Sequence, residues 1–288
     1  MHGERIHGLQ SIRQNSRISA TKHALRKEGQ TMNKEVVKAR ATEKARIFNM
    51  KVVQWYIAVL RGLMILTNAS VLRFQNGNKK LKDGNGIAFI IFSLPAVLTC
   101  PNATVHCMKA CYARRDERNM SARIGRIINL MISKRDDFES ILYDAIHNAI
   151  YTRKGELRNR FKNNEIVFRV HESGDFYSER YMRIWFKVAA KFPNVTFFAY
   201  TKSFAMYERC MSEKPENFEV RASVWDDTTV EEIGTIARCG MSIYTAYDEQ
   251  DMEKALKAGV KECKCDSCTA CGCACARHEN DTIGTRIH

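Results

Sequence analysis

Cysteine is concentrated in two short segments of this 288-residue chain, and that concentration constrains the fold more than any other feature of the sequence. Nine of the eleven cysteines fall in one of the two segments. Structural disulfides are usually spread along a chain, and buried cysteines usually stand singly among apolar neighbours. Dense clusters are instead typical of thiolate ligands for zinc or for an iron–sulfur cluster. The fold must therefore present two groups of thiols to inorganic centres.

The first segment has the spacing C-x6-C-x3-C and follows an apolar run, 87–95, that predicts a buried strand. Its cysteines are Cys100, Cys107 and Cys111. A loop leading into a helix can place three thiolates around one centre, and the helix N-terminus together with Arg114 would offset the negative charge. We therefore predict a [4Fe–4S] cluster here. The alternative is three thiols packed beneath the sheet.

The second segment holds six cysteines within thirteen residues, too many for the interior of so polar a stretch. They could bind zinc, build a second iron–sulfur cluster, or donate a fourth ligand to the first three thiols. The pattern does not decide which of them ligate. The candidates are Cys263, Cys265, Cys268, Cys271, Cys273 and Cys275. The remaining two, Cys210 and Cys239, each stand alone on a predicted helix and are expected in the core.

Strand and helix patterns alternate through the second half of the chain. Predicted strands start near residues 165, 194, 218 and 241, and predicted helices separate them. This rhythm predicts βα units and a parallel sheet. Four or five units are fewer than a closed eight-fold barrel needs. We expect an α/β fold with a partial or open (β/α) barrel.

Three regions are predicted along the chain. Residues 1–72 form a basic N-terminal extension, helical or disordered, 73–262 form the α/β core domain, and 263–288 form a cysteine-rich metal-binding tail too irregular to be a further βα unit. The net charge is +14, and the extension could contact nucleic acid through phosphate neutralisation. A solvated tail is the blander interpretation, and Met32 or Met50 could equally be the native start.

The sequence predicts a cytoplasmic protein that does not enter a membrane. The N-terminus is polar and basic, without the apolar core of a secretory signal. The most apolar stretch, 52–72, carries Arg61 near its middle, where a charge opposes insertion into a bilayer. A reducing compartment also suits clustered cysteines that hold metal rather than one another. The oligomeric state is not indicated.

Polar side chains follow each predicted strand at the edge where parallel α/β folds bind substrates. We expect a shared pocket there, whose catalytic candidates act as acids, bases or hydrogen-bond donors. For any one of them, a purely structural role is about as plausible. The catalytic candidates are His171, Glu172, Asp175, Tyr200 and Lys202, and the candidates for positioning a cofactor are Arg114, Ser173 and Gly174.

Several motifs resemble the phage gene product 88 domain family. They are the stretch 80–115 with its three cysteines, FRVHESGDFYSERYMRIW (168–185), AYTKSF (199–204), RASVWDD (221–227) and the CxCxxCxxC tail. The resemblance covers roughly residues 73–275. It implies a protein of phages and mobile elements, for which the family has no assigned reaction.

A more distant resemblance is to radical S-adenosylmethionine enzymes, which place C-x3-C-x2-C on the first βα loop. Here Cys107 and Cys111 match the first interval, but Arg114 stands at the third position and Cys100 lies upstream. The departure argues against S-adenosylmethionine as a cofactor. Three thiolates still suffice for a cluster whose fourth iron is open or bound by the tail.

Two functions from different classes fit these observations. The first is an iron–sulfur enzyme of radical-SAM-like architecture, with an unidentified small-molecule or macromolecular substrate in the strand-end pocket. The second is a non-catalytic protein in which zinc stabilises the cysteine segments and the basic surface binds nucleic acid or another partner. Redox sensing by reversible thiols is a third and weaker hypothesis.

Overall fold

The computed structural model describes residues 39–40, 42–43, 71–247, 249–257, 259–263, 267–277 and 282–286. Within the N-terminal extension, residues 39–40 and 42–43 are helical, and residues 71–72 belong to neither a helix nor a strand. The rest of that extension, with most of the apolar stretch 52–72, and Cys265 lie outside the described residues. Within the described ranges, none of the helices combines the length and apolar character needed to cross a bilayer.

A single mixed sheet of eight strands organises the described core. The first strand pairs antiparallel with the second, and every other neighbouring pair is parallel. In space the order is β1-β2-β3-β4-β5-β6-β8-β7. The strands are β1 (Phe74–Gln75), β2 (Ile87–Phe92), β3 (Glu165–Val170), β4 (Val195–Thr201), β5 (Phe218–Val224), β6 (Ile243–Tyr247), β7 (Lys261–Glu262) and β8 (Thr282–Arg286).

Helices fill most of the connections between the strands. Short 3-10 helices occur at Asn159–Phe161, Met211–Glu213 and Ala274–Ala276. From residue 71 onward the described α-helices are α1 (Val105–Ala110), α2 (Tyr112–Asp116), α3 (Met120–Ser133), α4 (Phe138–Ile150), α5 (Glu179–Ala190), α6 (Phe204–Cys210), α7 (Val230–Arg238) and α8 (Glu249–Lys257).

The main hydrophobic core lies between the sheet and these helices. Strands β2 to β6 are parallel neighbours in chain order, and right-handed crossovers between such strands return on one side of the sheet. Alternate strand residues, among them Phe168 and Phe197, accordingly pack with helix residues such as Trp185. Cys210 and Cys239 lie in this core, as the sequence predicted.

The cysteine-rich tail covers part of the other side of the sheet. We call this side the open face; it carries Phe89, Val167 and Phe198. These side chains form a second apolar cluster with Cys273 and Ala276 of the tail. Successive side chains of a strand point to opposite faces of the sheet. Each strand therefore contributes residues both to the helix-side core and to the open face.

A buried arginine ties the tail to the open face. Arg221, in β5, is fully buried. Its guanidinium donates to the carbonyl oxygens of Ala274 at 3.2 Å, Cys275 at 2.9 Å and Arg277 at 2.6 Å. These carbonyls belong to the 3-10 helix of the tail or follow it directly. The position of the tail therefore depends on the charged side chain of Arg221, which belongs to the sheet.

The predicted α/β fold with parallel strands is confirmed. Strands β3 and β5 start at residues 165 and 218, as predicted. Helix α7 begins with a capping box, in which the side chains of Thr229 and Glu232 each accept a hydrogen bond from the other's backbone. Over the described residues the sheet is open, since its pairings run from β1 to β7 without closing. The finer description as a partial barrel stays a prediction.

The expectation that residues 263–288 form only an irregular tail is wrong at its end. Strand β8 inserts between β6 and β7 and pairs in parallel with both. A Cβ on Gly284 would lie 2.9 Å from Val260 Cγ1, so this strand needs a glycine for close packing. The run TIGTR has one apolar side chain and none of the alternation that marks a strand. The last residues of the predicted tail therefore belong to the sheet of the core.

Replacing Arg221 by Gln should loosen the tail without disturbing the helix-side core. We expect the free energy of unfolding to fall by about 3 kcal/mol, because three buried carbonyls lose their charged donor. Hydrogen exchange should rise at residues 267–277. Arg115→Gln, at an exposed position of α2, is the matched control and should change neither quantity. Unchanged stability and exchange in Arg221→Gln would contradict the assignment.

Candidate functional site

The first three cysteines lie at the carboxyl end of the sheet, where the chain leaves β2. Cys100 is in the loop, Cys107 lies within α1, and Cys111 separates α1 from α2. The side chain of Thr104 begins α1 by accepting a hydrogen bond from the backbone N–H of Cys107 at 3.2 Å. All three cysteines are half-buried. The loop and the short helix thus keep the three thiols at the sheet edge with access to solvent.

These thiols are close enough to influence one another electrostatically. Burial raises the pKa of Cys100 well above its usual range, and the charges of Asp175, Cys107 and Cys111 raise it further. Burial also raises the pKa of Cys107 to about 11, although the nearby Lys202 ammonium lowers it. The pKa of Cys111 is raised by burial as well. A metal that binds here must displace protons from the thiols.

Cysteine sulfurs that bind a single metal ion lie closer together than those that bind an iron–sulfur cluster. Thiolates around one tetrahedral zinc lie about 3.8 Å apart, given the Zn–S bond length. Within the described part of the chain, no three thiol sulfurs lie within 4.8 Å of one another. Cysteines on an iron–sulfur cluster bind separate iron atoms and stand farther apart.

Asp175 joins the loops that follow β3 and β4. Its Oδ1 accepts from Thr201 Oγ1 at 2.7 Å and from the backbone N–H of Phe176 at 2.6 Å, and its Oδ2 accepts from the backbone N–H of Lys202 at 2.9 Å. Burial nevertheless raises the pKa of this carboxyl to about 6. Asp175 is consequently a structural link that also places negative charge beside Cys100.

Lys202 is a cation close enough to the thiol of Cys107 to lower its pKa. Its side chain is buried, and Nζ donates to the backbone oxygen of Ser223 at 2.6 Å while lying 5.6 Å from the centre of the Trp225 ring. Burial lowers the pKa of Lys202, whereas the charges of Cys107 and Asp227 raise it. The structure thus brings Lys202 and Asp175 together, as predicted, and adds the thiol of Cys107.

His171 lies in the core instead of in a shared pocket. It is 3% exposed, its Nε2 is 2.9 Å from Tyr181 Oη, and the edge of its ring meets Phe176 with centroids 4.6 Å apart. Burial, and then the charge of Arg169, lower its pKa to about 3. We therefore correct the prediction that His171 faces a ligand, because its imidazole is sealed among aromatic rings.

The loop after β3 makes a tight turn that braces the cysteine loop. Gly174 has φ +88°, and a Cβ there would lie 2.5 Å from Thr99 Oγ1. The backbone oxygen of Ser173 accepts from Leu94 N–H at 2.8 Å. Ser173 and Gly174 thus hold two loops together. Both are placed beside the cysteine loop, as a cofactor-positioning role requires.

The other two predicted residues near this loop also make defined contacts. Glu172 accepts a hydrogen bond from the Asn78 side chain, and its backbone oxygen accepts from Tyr112 Oη at 2.7 Å. Arg114 donates to the carbonyl oxygen of Met108 at 2.9 Å, and its charge lowers the pKa of Cys111. Arg114 therefore supports the end of α1 and supplies positive charge to the thiols.

Tyr200 lies on the open face, in a different environment from Lys202. Its ring is 4.5 Å from that of Tyr244, and burial raises the pKa of Tyr200 well above its usual range, with the charge of Cys275 adding to the effect. The structure therefore separates Tyr200 from Asp175 and groups it with the tail.

The tail cysteines form a second group against this face. Cys273 is buried with φ +56°, Cys268 and Cys275 are half-buried, and Cys271 is exposed. Burial raises the pKa of Cys268 to about 11, and the charges of Cys275, Cys271 and Cys263 raise it further, while Arg169 lowers it. The described tail thiols thus share one region. Their cations, Arg169 and Arg221, differ from those beside the first group.

A cavity of about 700 Å³ opens beside α1 at the ends of β5 and β6. Its lining includes His106, Lys109, Trp225, Asp226, Tyr247 and Lys254. His106 Nδ1 lies 2.5 Å from Asp226 Oδ1, and the backbone N–H of His106 donates to Asp227 Oδ2 at 3.2 Å. None of the predicted catalytic residues lines this cavity, although Trp225 also contacts Lys202.

Sequence reasoning missed the arginines of the open face. Arg169 in β3 and Arg221 in β5 each stand between two apolar strand residues. A cation within a buried strand was the available signal, since such a residue needs a specific partner. Tyr112, whose hydroxyl contacts the loop after β3, carried no comparable signal.

The sequence matches the family model described as "Gene product 88" over residues 70–282. This chain belongs to the gene product 88 family. The resemblance inferred from the motifs is thereby confirmed. The gene product 88 region contains both cysteine segments. No solved structure matches the chain.

Two similar proteins come from mycobacteriophages. The "Gene 88 protein" of Mycobacterium phage L5 is 32% identical over 108 residues, which cover 36% of this chain and 43% of that protein. The "Gene 88 protein" of Mycobacterium phage D29 is 31% identical over 110 residues, covering 36% of this chain and 42% of the relative. The chain thus matches less than half the length of these gene product 88 relatives.

Substituting Gly174 by Ala should destabilise the cysteine loop. The new Cβ combines a left-handed backbone with contacts of 2.5 Å to Thr99 and 2.7 Å to Leu94, so we expect a loss of about 3 kcal/mol in denaturant unfolding. Gly155→Ala is the matched control, since Gly155 has φ +79° and no atom of the described residues within 4 Å of the built Cβ. It should lose about 1 kcal/mol. Equal losses would refute the close packing at Gly174.

His171 should stay neutral from pH 8 to pH 5, because its folded pKa of about 3 lies below the unfolded value. The unfolded state binds the extra proton between pH 6.5 and 3, so this contribution to stability is complete above pH 6.5 and lost as the pH falls. Imidazole nitrogen shifts, assigned with His171→Gln, measure the protonation state directly. A titration midpoint near 6.5 would show an accessible ring.

Proposed function

We propose that this gene product 88 protein binds an iron–sulfur cluster through Cys100, Cys107 and Cys111. The observation that carries the proposal is the placement of three half-buried thiols at one sheet edge, close enough that the charges of Cys107 and Cys111 raise the pKa of Cys100. A cluster with an open iron supplies a site for ligand binding or electron transfer. The protein contributes the thiols, the nearby cations and the walls of the site.

The charges around these thiols support an anionic centre. A cluster held by thiolates carries net negative charge, which a partly buried site must offset. Lys202 and Arg114 provide that charge, because each lowers the pKa of a thiol in the group. Asp175 adds one negative charge, which opposes the two positive charges of Lys202 and Arg114. Three hydrogen bonds fix its carboxylate in place.

We assign the tail cysteines to a second inorganic centre. They gather on the open face, with Arg169 and Arg221 as their cations, while the first group lies beside Lys202 and Arg114. Separate electrostatic surroundings favour two centres over a tail thiolate that completes the first one. Zinc and iron–sulfur both remain compatible with a site that includes Cys265, a residue outside the described ranges.

The cavity beside α1 is our candidate for the substrate site. It borders the helix that carries Cys107, and its lining combines aromatic rings with both signs of charge. Such a lining suits a polar ligand with a planar group. Iron–sulfur chemistry on that ligand would make the protein an enzyme, and binding without turnover would make it a sensor.

Metal analysis of anaerobically purified protein tests this proposal. We expect iron and sulfide together with a broad absorption band at about 400 nm. Cys107→Ala should lose the iron of the first centre and keep the metal of the tail, and Cys275→Ala should lose the tail metal and keep the iron of the first centre. Cys239→Ala, which removes a thiol from the helix-side core, is the control and should retain the full content.

Thermal unfolding of each variant separates loss of a ligand from loss of the fold. A folded Cys107→Ala protein with an unchanged iron content would contradict the proposal. Stoichiometric zinc without iron in the unsubstituted protein would also overturn it, and would favour a structural metal site.

A further inference from the structure

Two arginines project from the open face, and their surroundings differ sharply. Strand β4 lies between them: Phe198 pairs in register with Arg169, and Tyr200 pairs with Arg221. Both cations are therefore built into the same surface, one strand apart. A buried or half-buried guanidinium needs acceptors to offset its lost hydration.

Arg221 has its acceptors within the chain. Three backbone oxygens of the tail lie 2.6–3.2 Å from its nitrogens, and Glu219 Oε1 is 4.0 Å from Nε. Its role is to hold the tail. No capacity for a further ligand is needed to explain this residue.

Arg169 lacks such acceptors. Its Nε is buried and has no hydrogen-bond partner among the described residues. The contact of its Nη2 with Tyr112 Oη is long, at 3.5 Å. The guanidinium stacks near Tyr200, 5.1 Å from the ring centre, and near Phe198 at 5.9 Å. Stacking on these rings fixes the plane of the guanidinium.

The surroundings of Arg169 are rich in phenol groups. Tyr112 is 44% exposed, and Tyr200 and Tyr244 are half-buried, so solvent reaches this part of the open face. A phenol hydroxyl can donate a hydrogen bond to an anion. Glu172 interacts electrostatically with Arg169, but the Glu172 carboxylate accepts its hydrogen bond from the Asn78 side chain.

We propose that Arg169, with Tyr112 and Tyr200 beside it, binds the oxyanion of a small-molecule ligand, a carboxylate or a phosphate. The forked N–H groups of a guanidinium match either anion in a two-point contact. Phenol hydroxyls add neutral donors without adding charge. The site lies between the two thiol groups, since Tyr112 follows Cys111 and the Arg169 charge lowers the pKa of Cys268. A ligand held there would be positioned next to both proposed centres.

The test follows the Nε–H resonance of Arg169 by nitrogen NMR in the full chain. Inorganic phosphate and acetate are titrated separately at constant ionic strength, with chloride as the reference anion. The Arg169→Gln spectrum assigns the resonance. We expect saturable shifts with at least one of the two oxyanions and none with chloride.

Matched variants define the role of the guanidinium. Arg169→Gln should weaken oxyanion binding by at least about tenfold, the effect of losing a charged hydrogen bond. Arg169→Lys should recover part of the affinity, because it restores charge without the fork, and Tyr112→Phe should weaken binding severalfold. Arg115→Gln, a nearby exposed cation, should bind as the unsubstituted protein does.

The iron of the first thiol group, measured in a Cys275→Ala background, separates this inference from the proposed function. We expect Arg169→Gln to leave it unchanged, because Lys202 and Arg114 supply the positive charge at that group. No saturable shift with either oxyanion would overturn the inference. Equal affinity in Arg169→Gln would also overturn it. Loss of iron together with absence of oxyanion binding would assign Arg169 to the thiol centre instead of to an external ligand.

Discussion

The guanidinium of Arg221 holds the cysteine-rich tail against the open face of the sheet. Both candidate sites on that face, the tail thiols and the surroundings of Arg169, depend on this attachment. A parallel sheet whose helices all pack on one side leaves the other side uncovered. In this protein a cysteine-rich segment covers part of that side, and its backbone carbonyls reach the buried cation in β5. The apolar contacts of Cys273 and Ala276 with Phe89 and Phe198 complete the attachment. The tail thiols are consequently fixed against a rigid sheet although they come from an irregular segment.

A second set of contacts organises the carboxyl edge. Asp175 binds the ends of two neighbouring connections, and Gly174 allows the loop before it to press against Thr99 and Leu94. These contacts hold the loop of Cys100 close to the buried ammonium of Lys202. Thiols, cation and carboxylate therefore occupy one edge, where α/β proteins commonly place their chemistry. The two thiol groups are built on different surfaces by different interactions, and this separation is the basis for assigning two centres.

The sequence predicted those parts of the fold that depend on local pattern. The starts of β3 and β5 follow from the alternation of strand and helix patterns, and the core positions of Cys210 and Cys239 follow from their isolation on predicted helices. Strand β8 could not be predicted in this way, because TIGTR gains its conformation from pairing with β6. His171 also shows what a local pattern cannot predict. Its polar neighbours in the sequence suggested a pocket, but its ring packs among aromatic side chains in the core. Arg169 and Arg221 were visible as charges within strands, yet only the arrangement of the sheet and tail reveals that one is satisfied and the other is not.

X-ray absorption at the iron edge, on anaerobically purified protein, tests the central claim most directly. If the thiols hold an iron–sulfur cluster, the spectrum will show sulfur ligation of iron and a second shell of iron scatterers, and the second shell will weaken in the folded Cys107→Ala protein. Absence of iron, with zinc bound by four sulfurs at about 2.3 Å, would contradict the account.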